Sequence, residues 1–306
     1  MQSPRHDRKS SLRIARMNAF IGGVLLICAL PSATQAQSPV RISASDRFND
    51  ATFHLPEEPL LGFVPIATTT FPMGSNPLID PQAFENERWS ESRRQGVVEV
   101  PQFYIARYET TQEQFAAFVN ATGFRVTPEA LNPGGDYPVT HVAWTDAVAY
   151  TRWLDAQLRS LPTLPSALKV LLDSGARVQL PTEAQWEVAA KGAEGRIYPW
   201  GNQFIPEFAN VDSTGPQPVG SKSCTPCLNG LADMSGNVWE WTRSPYQPYP
   251  YSDADDRANL AEDALWVMRG GSYSDAPNNA RASVRGAADP GARRPFIGFR
   301  VVISPP

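Results

Sequence analysis

The residues best suited to chemistry in this sequence lie in one short polar stretch near its carboxyl end. Two glycines, Gly270 and Gly271, lead into Ser272, Tyr273, Ser274 and Asp275, and Arg281 and Arg285 follow. A carboxylate beside hydroxyl groups can act as a general acid or base, and arginines four residues apart could bind substrate carboxylates. The same arginines could instead form structural ion pairs that hold the carboxyl-terminal loops. The stretch therefore predicts either a proton-transfer site or a loop held by its own charges.

A second group of candidate ligands lies upstream in the stretch DMSGNVWE. Asp233 and Glu240 are carboxylates seven residues apart, with a flexible Ser-Gly pair between them. A chain that turns around a cation can offer both carboxylates and the backbone carbonyls of alternate residues, which is the oxygen-rich shell that Ca²⁺ prefers. The alternative is a turn held by hydrogen bonds, in which Glu240 is a buried acceptor.

Two cysteines lie close together in the stretch SCTPC. Cys224 and Cys227 are surrounded by turn residues. In an oxidising compartment, a short-loop disulfide is the expected state of such a pair. A redox-active pair and a metal site are the alternatives. Neither is favoured, because the pair does not open a helix and no second cysteine pair or neighbouring histidine completes a metal site.

The amino-terminal segment has the pattern of a signal peptide. Several basic residues precede the apolar run Ala19 to Leu30, which is too short to span a bilayer, and small residues allow cleavage after about Ala36. We therefore expect a periplasmic or secreted protein without membrane insertion after cleavage; a retained anchor is the alternative. The rest of the chain is acidic overall, with no basic patch for nucleic acid or anionic membranes.

Residues 37–59 form a polar lead-in, and the pattern after them alternates between strands and helices. Thr110 with Glu113 predicts a capping box at the start of the first helix, and Thr182 with Gln185 predicts another at a later helix. Helical patterns occupy the first half of the chain, and short strands with turns occupy the second half. This order predicts one α+β domain over residues 60–304.

Taken together, the motifs of the sequence resemble those of the formylglycine-generating enzyme, or sulfatase-modifying factor, family. Eight motifs occur in the order of that family: FPMGS, FYIARYETTQEQFAAFV, YPVTHVAWTDAVAYTRWL, LPTEAQWEVAAKG, YPWGN, GLADMSGNVWEWT, RGGSY and GFRVV. The resemblance implies a C-type-lectin-like α+β fold that is low in regular secondary structure and stabilised by calcium. It places one calcium site at Asp233, Gly236, Val238 and Glu240. It places the start of a second calcium site at Asn210 and Val211.

The sequence departs from the family at its catalytic metal. Formylglycine generators use a copper ion held by two cysteines that follow the Gly-Gly-Ser-Tyr turn. Here Asp275 stands at the first cysteine position, Ala280 stands near the second, and no cysteine follows Cys227. Thiolates select Cu(I), whereas carboxylates are hard ligands. We therefore expect no copper, and the scarcity of histidine argues against the three-histidine iron site of the related sulfoxide synthases.

Other residues of the family site are retained. Ser272 matches a serine beside the family's oxygen site, and the residue that matches Trp239 lies near the active site. We expect the other tryptophans of these motifs, Trp186, Trp200 and Trp241, to be core residues rather than a stacking surface, and His141 to be structural.

Two functions of different class follow. The first is an exported tailoring enzyme that resembles the periplasmic pyoverdine-maturation protein and acts on a small molecule or peptide that is easily oxidised. In it Asp275, Ser272, Tyr273 and Trp239 would form the catalytic site. The second is a non-catalytic ligand-binding or envelope-assembly module on the same fold.

Residues 159–176, a long segment for the family, could form a lid, a docking surface or a simple surface insertion. Formylglycine generation is the least favoured function.

Overall fold

The computed structural model describes residues 47–90, 95–131, 135–257 and 264–305. The predicted signal peptide, residues 1–36, and its cleavage site lie outside these ranges. The described residues all fall within one compact unit, residues 39–306. Among them, no helix combines the length and the apolar character needed to cross a membrane.

The strands form two four-stranded sheets and two hairpins. One sheet has the order β10-β9-β8-β11, and the other has the order β3-β6-β12-β7. The pairs β1-β2 and β4-β5 form the hairpins. The strands are β1 (Phe48–Asn49), β2 (Leu55–Pro56), β3 (Phe63–Ile66), β4 (Thr69–Met73), β5 (Gly96–Val100), β6 (Phe103–Ala106), β7 (Arg177–Gln179), β8 (Trp239–Pro245), β9 (Trp266–Arg269), β10 (Arg285–Ala288), β11 (Ile297–Gly298) and β12 (Val302–Ser304).

Within the described ranges, four α-helices lie before residue 192. They are α1 (Gln112–Thr122), α2 (Trp144–Ser160), α3 (Ser166–Asp173) and α4 (Glu183–Lys191). The capping box predicted for α4 is present, since Thr182 accepts from the backbone N–H of Gln185. The box predicted at α1 is displaced by one residue, because Thr111 and Gln114 form it instead of Thr110 and Glu113. The fold is therefore α+β, as predicted.

The main core lies where α1 and α2 pack against the sheets. Trp144 of α2 stacks on Trp266 of β9 with ring centroids 3.9 Å apart. Trp186 and Trp241 are fully buried and Trp200 is nearly so, which confirms that these tryptophans are core residues. Burying such rings supplies much of the apolar area that stabilises a domain with few long elements.

Two segments whose roles were open in the sequence pack onto this domain. Phe48 and Leu55 of the lead-in are buried, so the compact unit begins before residue 60. Residues 159–176 complete α2 and form α3, whose Leu168 and Leu172 lie in the main core. The inner face of α3 is therefore an integral part of the core.

Candidate functional site

The polar loop after β9 is shaped by two glycines in the left-handed region. Gly270 has φ 97° and Gly271 has φ 72°. A Cβ on Gly271 would lie 2.7 Å from the carbonyl oxygen of Asn279, so no larger residue fits without moving the backbone. The loop consequently folds back on itself and brings residues 272–275 against residues 279 and 280.

Asp275 lies at the centre of this loop as a hydrogen-bond acceptor. Its Oδ2 atom accepts from the Ser272 backbone N–H at 3.0 Å, the Ser272 hydroxyl at 2.6 Å and the Trp239 indole N–H at 2.9 Å. Its Oδ1 atom accepts from the Asn279 amide at 3.3 Å. The structure thus brings together three of the four predicted catalytic side chains. We call Asp275, Ser272 and Trp239 the acid triad.

The acid triad lies at the boundary between core and solvent. Ser272 is fully buried, whereas Asp275 and Trp239 are partly exposed. The hydroxyl of the exposed Ser274 lies 3.1 Å from that of Ser272. Tyr273, the fourth predicted catalytic residue, joins the site through its backbone, because its N–H donates to the carbonyl of Asn237. A substrate that reaches Asp275 would therefore meet a carboxylate, a hydroxyl and an indole edge.

The prediction that Arg281 and Arg285 bind substrate is wrong for this structure. The guanidinium of Arg281 is fully buried and donates to Asp80 and Glu87, with 2.7 Å from Nη2 to Glu87 Oε1. Arg285 is buried and its Nη2 donates to Glu183 Oε2 at 2.9 Å. Both arginines hold the carboxyl-terminal loops, which was the alternative interpretation of their spacing.

Glu240 is not available as the calcium ligand that the sequence predicted. Its two oxygens accept from Arg300, at 2.6 Å from Nε and 2.7 Å from Nη2, and Trp186 donates to Oε2 at 2.7 Å. All three side chains are fully buried. A bidentate guanidinium already neutralises this carboxylate, so Glu240 has the alternative role of a buried acceptor.

The rest of the predicted calcium loop carries an excess of buried negative charge. Glu109, Asp233 and Glu240 lie within electrostatic range of one another, with Arg300 as the nearest cation. Burial, with smaller effects from neighbouring carboxylates, raises the pKa of Glu109 well above its usual range and that of Asp233 to about 6. A cation at Asp233 would relieve this charge, so calcium held by Asp233 and the carbonyls of Gly236 and Val238 stays a prediction.

The second predicted calcium site, which would begin at Asn210 and Val211, stays a prediction. The Oδ1 atom of Asn210 accepts from the Ser213 hydroxyl at 2.7 Å, and its amide group donates to Gly215 and Asn237. The Asn210 side chain is therefore engaged by the protein. Within the described ranges, no group of three or more histidine, cysteine or acidic side chains is arranged to hold a metal ion.

The cysteines do not fit a copper centre. Cys224 and Cys227 are joined in a disulfide, with Cα atoms 5.3 Å apart. No cysteine follows them in the chain, and the described ranges contain no free thiol that could lie near the acid triad. The residues present supply only hard oxygen donors there, and no step through a copper ion can be derived.

Several residues that hold the site gave little signal in the sequence. Glu109 accepts from the Asn237 amide at 2.6 Å and from the backbone N–H of Val238, and so fixes the strand start that carries Trp239. Asn237 has φ 65°, a conformation in which asparagine is enriched, and this was the available signal. Arg300 pairs with a residue 60 positions away, which local spacing does not reveal.

The chain is similar to a known protein family along most of its length. Residues 51–305 match the model of the sulfatase-modifying factor enzyme 1-like domain. Hercynine oxygenase from Mycolicibacterium smegmatis is 30% identical in an alignment of 279 positions that covers 76% of this chain and 58% of that protein. Formylglycine-generating enzyme from Thermomonospora curvata is 29% identical in an alignment of 321 positions that covers 82% of this chain and 96% of that protein.

Among solved structures, PvdO from Pseudomonas aeruginosa superposes with a TM-score of 0.62 at 25% identity. The match covers 79% of this chain and 94% of PvdO. It identifies the fold as that of the formylglycine-generating enzymes. The chain spans little more than half the length of the hercynine oxygenase that it matches.

Proposed function

The chain belongs to the sulfatase-modifying factor enzyme 1-like family, and on this premise we propose that it is an exported protein for oxidative tailoring of an electron-rich small molecule. The proposed substrate class is a siderophore chromophore of the pyoverdine type, matured in the periplasm. The observation that carries the proposal is the acid triad, in which Asp275, Ser272 and Trp239 meet through hydrogen bonds at a partly exposed surface.

The proposed chemistry uses a substrate that is readily oxidised. The substrate loses two electrons and two protons, and dioxygen accepts both to become hydrogen peroxide. Asp275 first accepts one of these protons through Oδ1, which has a single long hydrogen bond, and then passes it to the reduced dioxygen, while Oδ2 remains held by Ser272 and Trp239. Such positioned proton transfer contributes about 10²–10⁴-fold to a rate. The partly exposed indole of Trp239 provides a surface on which an aromatic substrate can stack.

Relatives support this class of reaction without establishing the substrate. One relative is named as an oxygenase and another as a formylglycine-generating enzyme. In this chain the missing thiolates remove the copper route, so an oxidation has to depend on the reactivity of the substrate itself. Sulfatase formylglycine generation is the least supported activity for the same reason.

A second candidate function is ligand binding without catalysis. One observation favours it: Asp275 accepts four hydrogen bonds from its own loop and from Trp239, as a purely structural carboxylate would. A binding module would need the shape of this loop but not the ionisable group of Asp275.

The experiment that separates catalysis from binding without catalysis expresses the Asp275→Asn variant in a deletion strain of the source organism. Asparagine keeps the size and still accepts hydrogen bonds, but it cannot take up a proton. Periplasmic extracts are analysed by mass spectrometry for products that the deletion strain lacks. We expect Asp275→Asn to lower the product by about 10²-fold or more while the melting temperature of the purified variant stays near that of the wild type.

A matched control is Asp173→Asn, because Asp173 lies exposed on α3 in a surface ion pair with Lys169. This control should restore the full amount of product. A second variant, Trp239→Phe, keeps an aromatic ring but loses the donor to Asp275, and we expect an intermediate loss. Full restoration by Asp275→Asn would rule out Asp275 as the proton acceptor and leave the binding module.

A further inference from the structure

A cavity of about 260 Å³ lies away from the acid triad, beside the start of α4 and the end of β8. It shares no residue with the acid triad. Arg243, Gln179, Tyr251 and Asp256 line its inner wall, and Glu99 and Asp253 lie exposed along it. A cavity of this size suits a small metabolite rather than a drug-sized ligand. Ligand binding in this cavity is independent of the proposed oxidative function.

Arg243 differs from the other inward-facing arginines of the fold. Each of Arg269, Arg281, Arg285 and Arg300 donates to at least one carboxylate side chain. Arg243 instead donates to the side-chain carbonyl of Gln179 and to the backbone carbonyl of Asp256, the latter at 3.0 Å. Within the ranges that the structure covers, no carboxylate forms an ion pair with it. Its hydrogen bonds therefore go to neutral acceptors, and the charge of Asp256 acts on it without a direct hydrogen bond.

Among the described residues, the Nε atom of Arg243 has no acceptor although it is shielded from solvent, and the same is true of the Nε atom of Arg269. A buried donor without a partner costs free energy, so its persistence calls for an explanation. Burial lowers the pKa of Arg243 although the charge of Asp256 acts in the opposite direction, whereas carboxylate partners raise the pKa of Arg269 and Arg300 despite their own burial. This guanidinium thus lacks the directly hydrogen-bonded carboxylate that Arg269 and Arg300 have.

The nearest carboxylate does not supply that anion. The Oδ1 atom of Asp256 accepts from the Ser244 hydroxyl and its Oδ2 atom accepts from the Tyr251 hydroxyl. Both oxygens of Asp256 are thereby directed to hydroxyl donors rather than to Arg243. The start of α4 contributes further positive potential, because Thr182, Ala184 and Gln185 line the same cavity.

The acidic residues along the cavity limit the charge of the ligand. Glu99 and Asp253 are exposed, and both line the same space as Arg243. A multiply charged anion such as phosphate would be repelled by the Glu99 carboxylate, and a simple cation would be repelled by the guanidinium. A molecule with a carboxylate at one end and an ammonium group at the other satisfies both.

We propose that this cavity binds a small zwitterion of the amino-acid class, with its carboxylate at Arg243 and its ammonium group towards Glu99. Planar guanidinium groups pair well with carboxylates, and this pairing accounts for the orientation. The ligand is held by charge at both ends, and its side chain is accommodated by the 260 Å³ of the cavity.

The test measures binding of named probes to the full purified chain by calorimetry and by melting temperature. The zwitterions are glycine, L-serine and L-leucine at about 10 mM, where bound ligand stabilises the native state. The matched probes are N-acetyl-L-leucine, which lacks the ammonium charge, L-leucinamide, which lacks the carboxylate, and inorganic phosphate. We expect at least one zwitterion to bind, with its acetylated and amidated forms at least about tenfold weaker and phosphate without effect.

Two variants locate the site. Arg243→Met removes the guanidinium and should abolish zwitterion binding. Glu99→Gln changes only an exposed rim residue, so it should fold normally; it should weaken zwitterion binding several-fold and leave N-acetyl-L-leucine unaffected. The proposal is overturned if none of the zwitterions binds, if the amidated form binds as well as the free one, or if Glu99→Gln leaves zwitterion affinity unchanged. Should Arg243→Met fail to fold, the result for Glu99→Gln decides alone.

Discussion

Two buried glutamates, each in the first turn of a helix, should respond in opposite ways to neutralisation. Glu113 in α1 and Glu183 in α4 are both nearly fully buried. Neither carboxylate oxygen of Glu113 has a hydrogen-bond partner. Glu183 accepts from Arg269 at 2.6 Å and from Arg285 at 2.9 Å. The pair therefore separates the cost of a buried unpaired charge from the contribution of a buried paired one.

The magnitude for Glu113 follows from its proton affinity. Burial, followed by the charges of Asp136 and Asp50, raises the pKa of Glu113 from 4.5 to about 7. Because one pKa unit corresponds to about 1.4 kcal/mol, the charged form costs the fold about 3 kcal/mol. The folded pKa lies above the unfolded value, so this cost is absent below pH 4.5. The cost grows as the pH rises from 4.5 to about 7, and it stays constant at higher pH.

His54 does not remove this cost at alkaline pH. Its Nδ1 atom lies 4.0 Å from Glu113 Oε2 and 3.1 Å from Asp50 Oδ1. Burial lowers the pKa of His54, with the charge of Asp50 acting in the opposite direction. At pH 8 the imidazole is neutral, so Glu113 remains a buried unpaired carboxylate.

The perturbation is Glu113→Gln, measured by urea unfolding at pH 4.5, 6 and 8 with tryptophan fluorescence. We expect the free energy of unfolding to be nearly unchanged at pH 4.5 and to increase by about 3 kcal/mol at pH 8. Glu183→Gln is the contrasting variant, and it should lose about 3–5 kcal/mol because it leaves the buried Arg285 without its carboxylate and Arg269 with Glu187 alone. A Glu113→Gln variant that is destabilised at pH 8, or that differs from the wild type equally at all pH values, would refute the reasoning.

Three further predictions concern the buried Arg281 ion pair, the disulfide and the predicted calcium site. Arg281→Met should lower the free energy of unfolding by about 3–5 kcal/mol in urea titrations, because Glu87 remains buried and unpaired; a loss below about 1 kcal/mol contradicts this. Replacing Cys224 and Cys227 with serine should cost about 2 kcal/mol, as expected for so short a loop, and a much larger loss would show another role. Calcium added after chelation should raise the melting temperature of the wild type but not of Asp233→Asn; an unchanged wild type contradicts the calcium hypothesis.

Where the sequence offered a single candidate for a helix cap, the spacing of residues predicted that cap correctly. Thr182 and Gln185 form the predicted capping box of α4. At α1 two overlapping boxes fit the sequence, and tertiary contacts decide between them. The backbone N–H of Thr110 donates to Phe299 and its carbonyl accepts from Val139, which leaves Thr111 to cap the helix. Such strand contacts depend on residues far along the chain, which spacing alone does not reveal.

The same limit explains the errors at the site. Arg281 lies near Asp275 in sequence, which favoured the prediction that it binds substrate. The carboxylates that bind it, Asp80 and Glu87, come 201 and 194 residues earlier. Convergence of Asp275 with Ser272 was accessible from the sequence because both lie in one turn. Contact with Trp239 required the family resemblance, since 36 residues separate the two.

Asp275, which stands where the family resemblance places a cysteine, is held by the whole loop. Backbone bonds from Gly236 to Gly270 and from Tyr273 to Asn237 tie the loop to the start of β8. Within it, three donors converge on Oδ2, whereas Oδ1 has only the 3.3 Å contact with Asn279. A carboxylate needed only as an anchor would gain from strong donors on both oxygens. The asymmetry leaves Oδ2 held by three donors and Oδ1 able to take up a proton. The Asp275→Asn variant removes the ability to take up a proton and preserves the hydrogen bonds that hold the side chain.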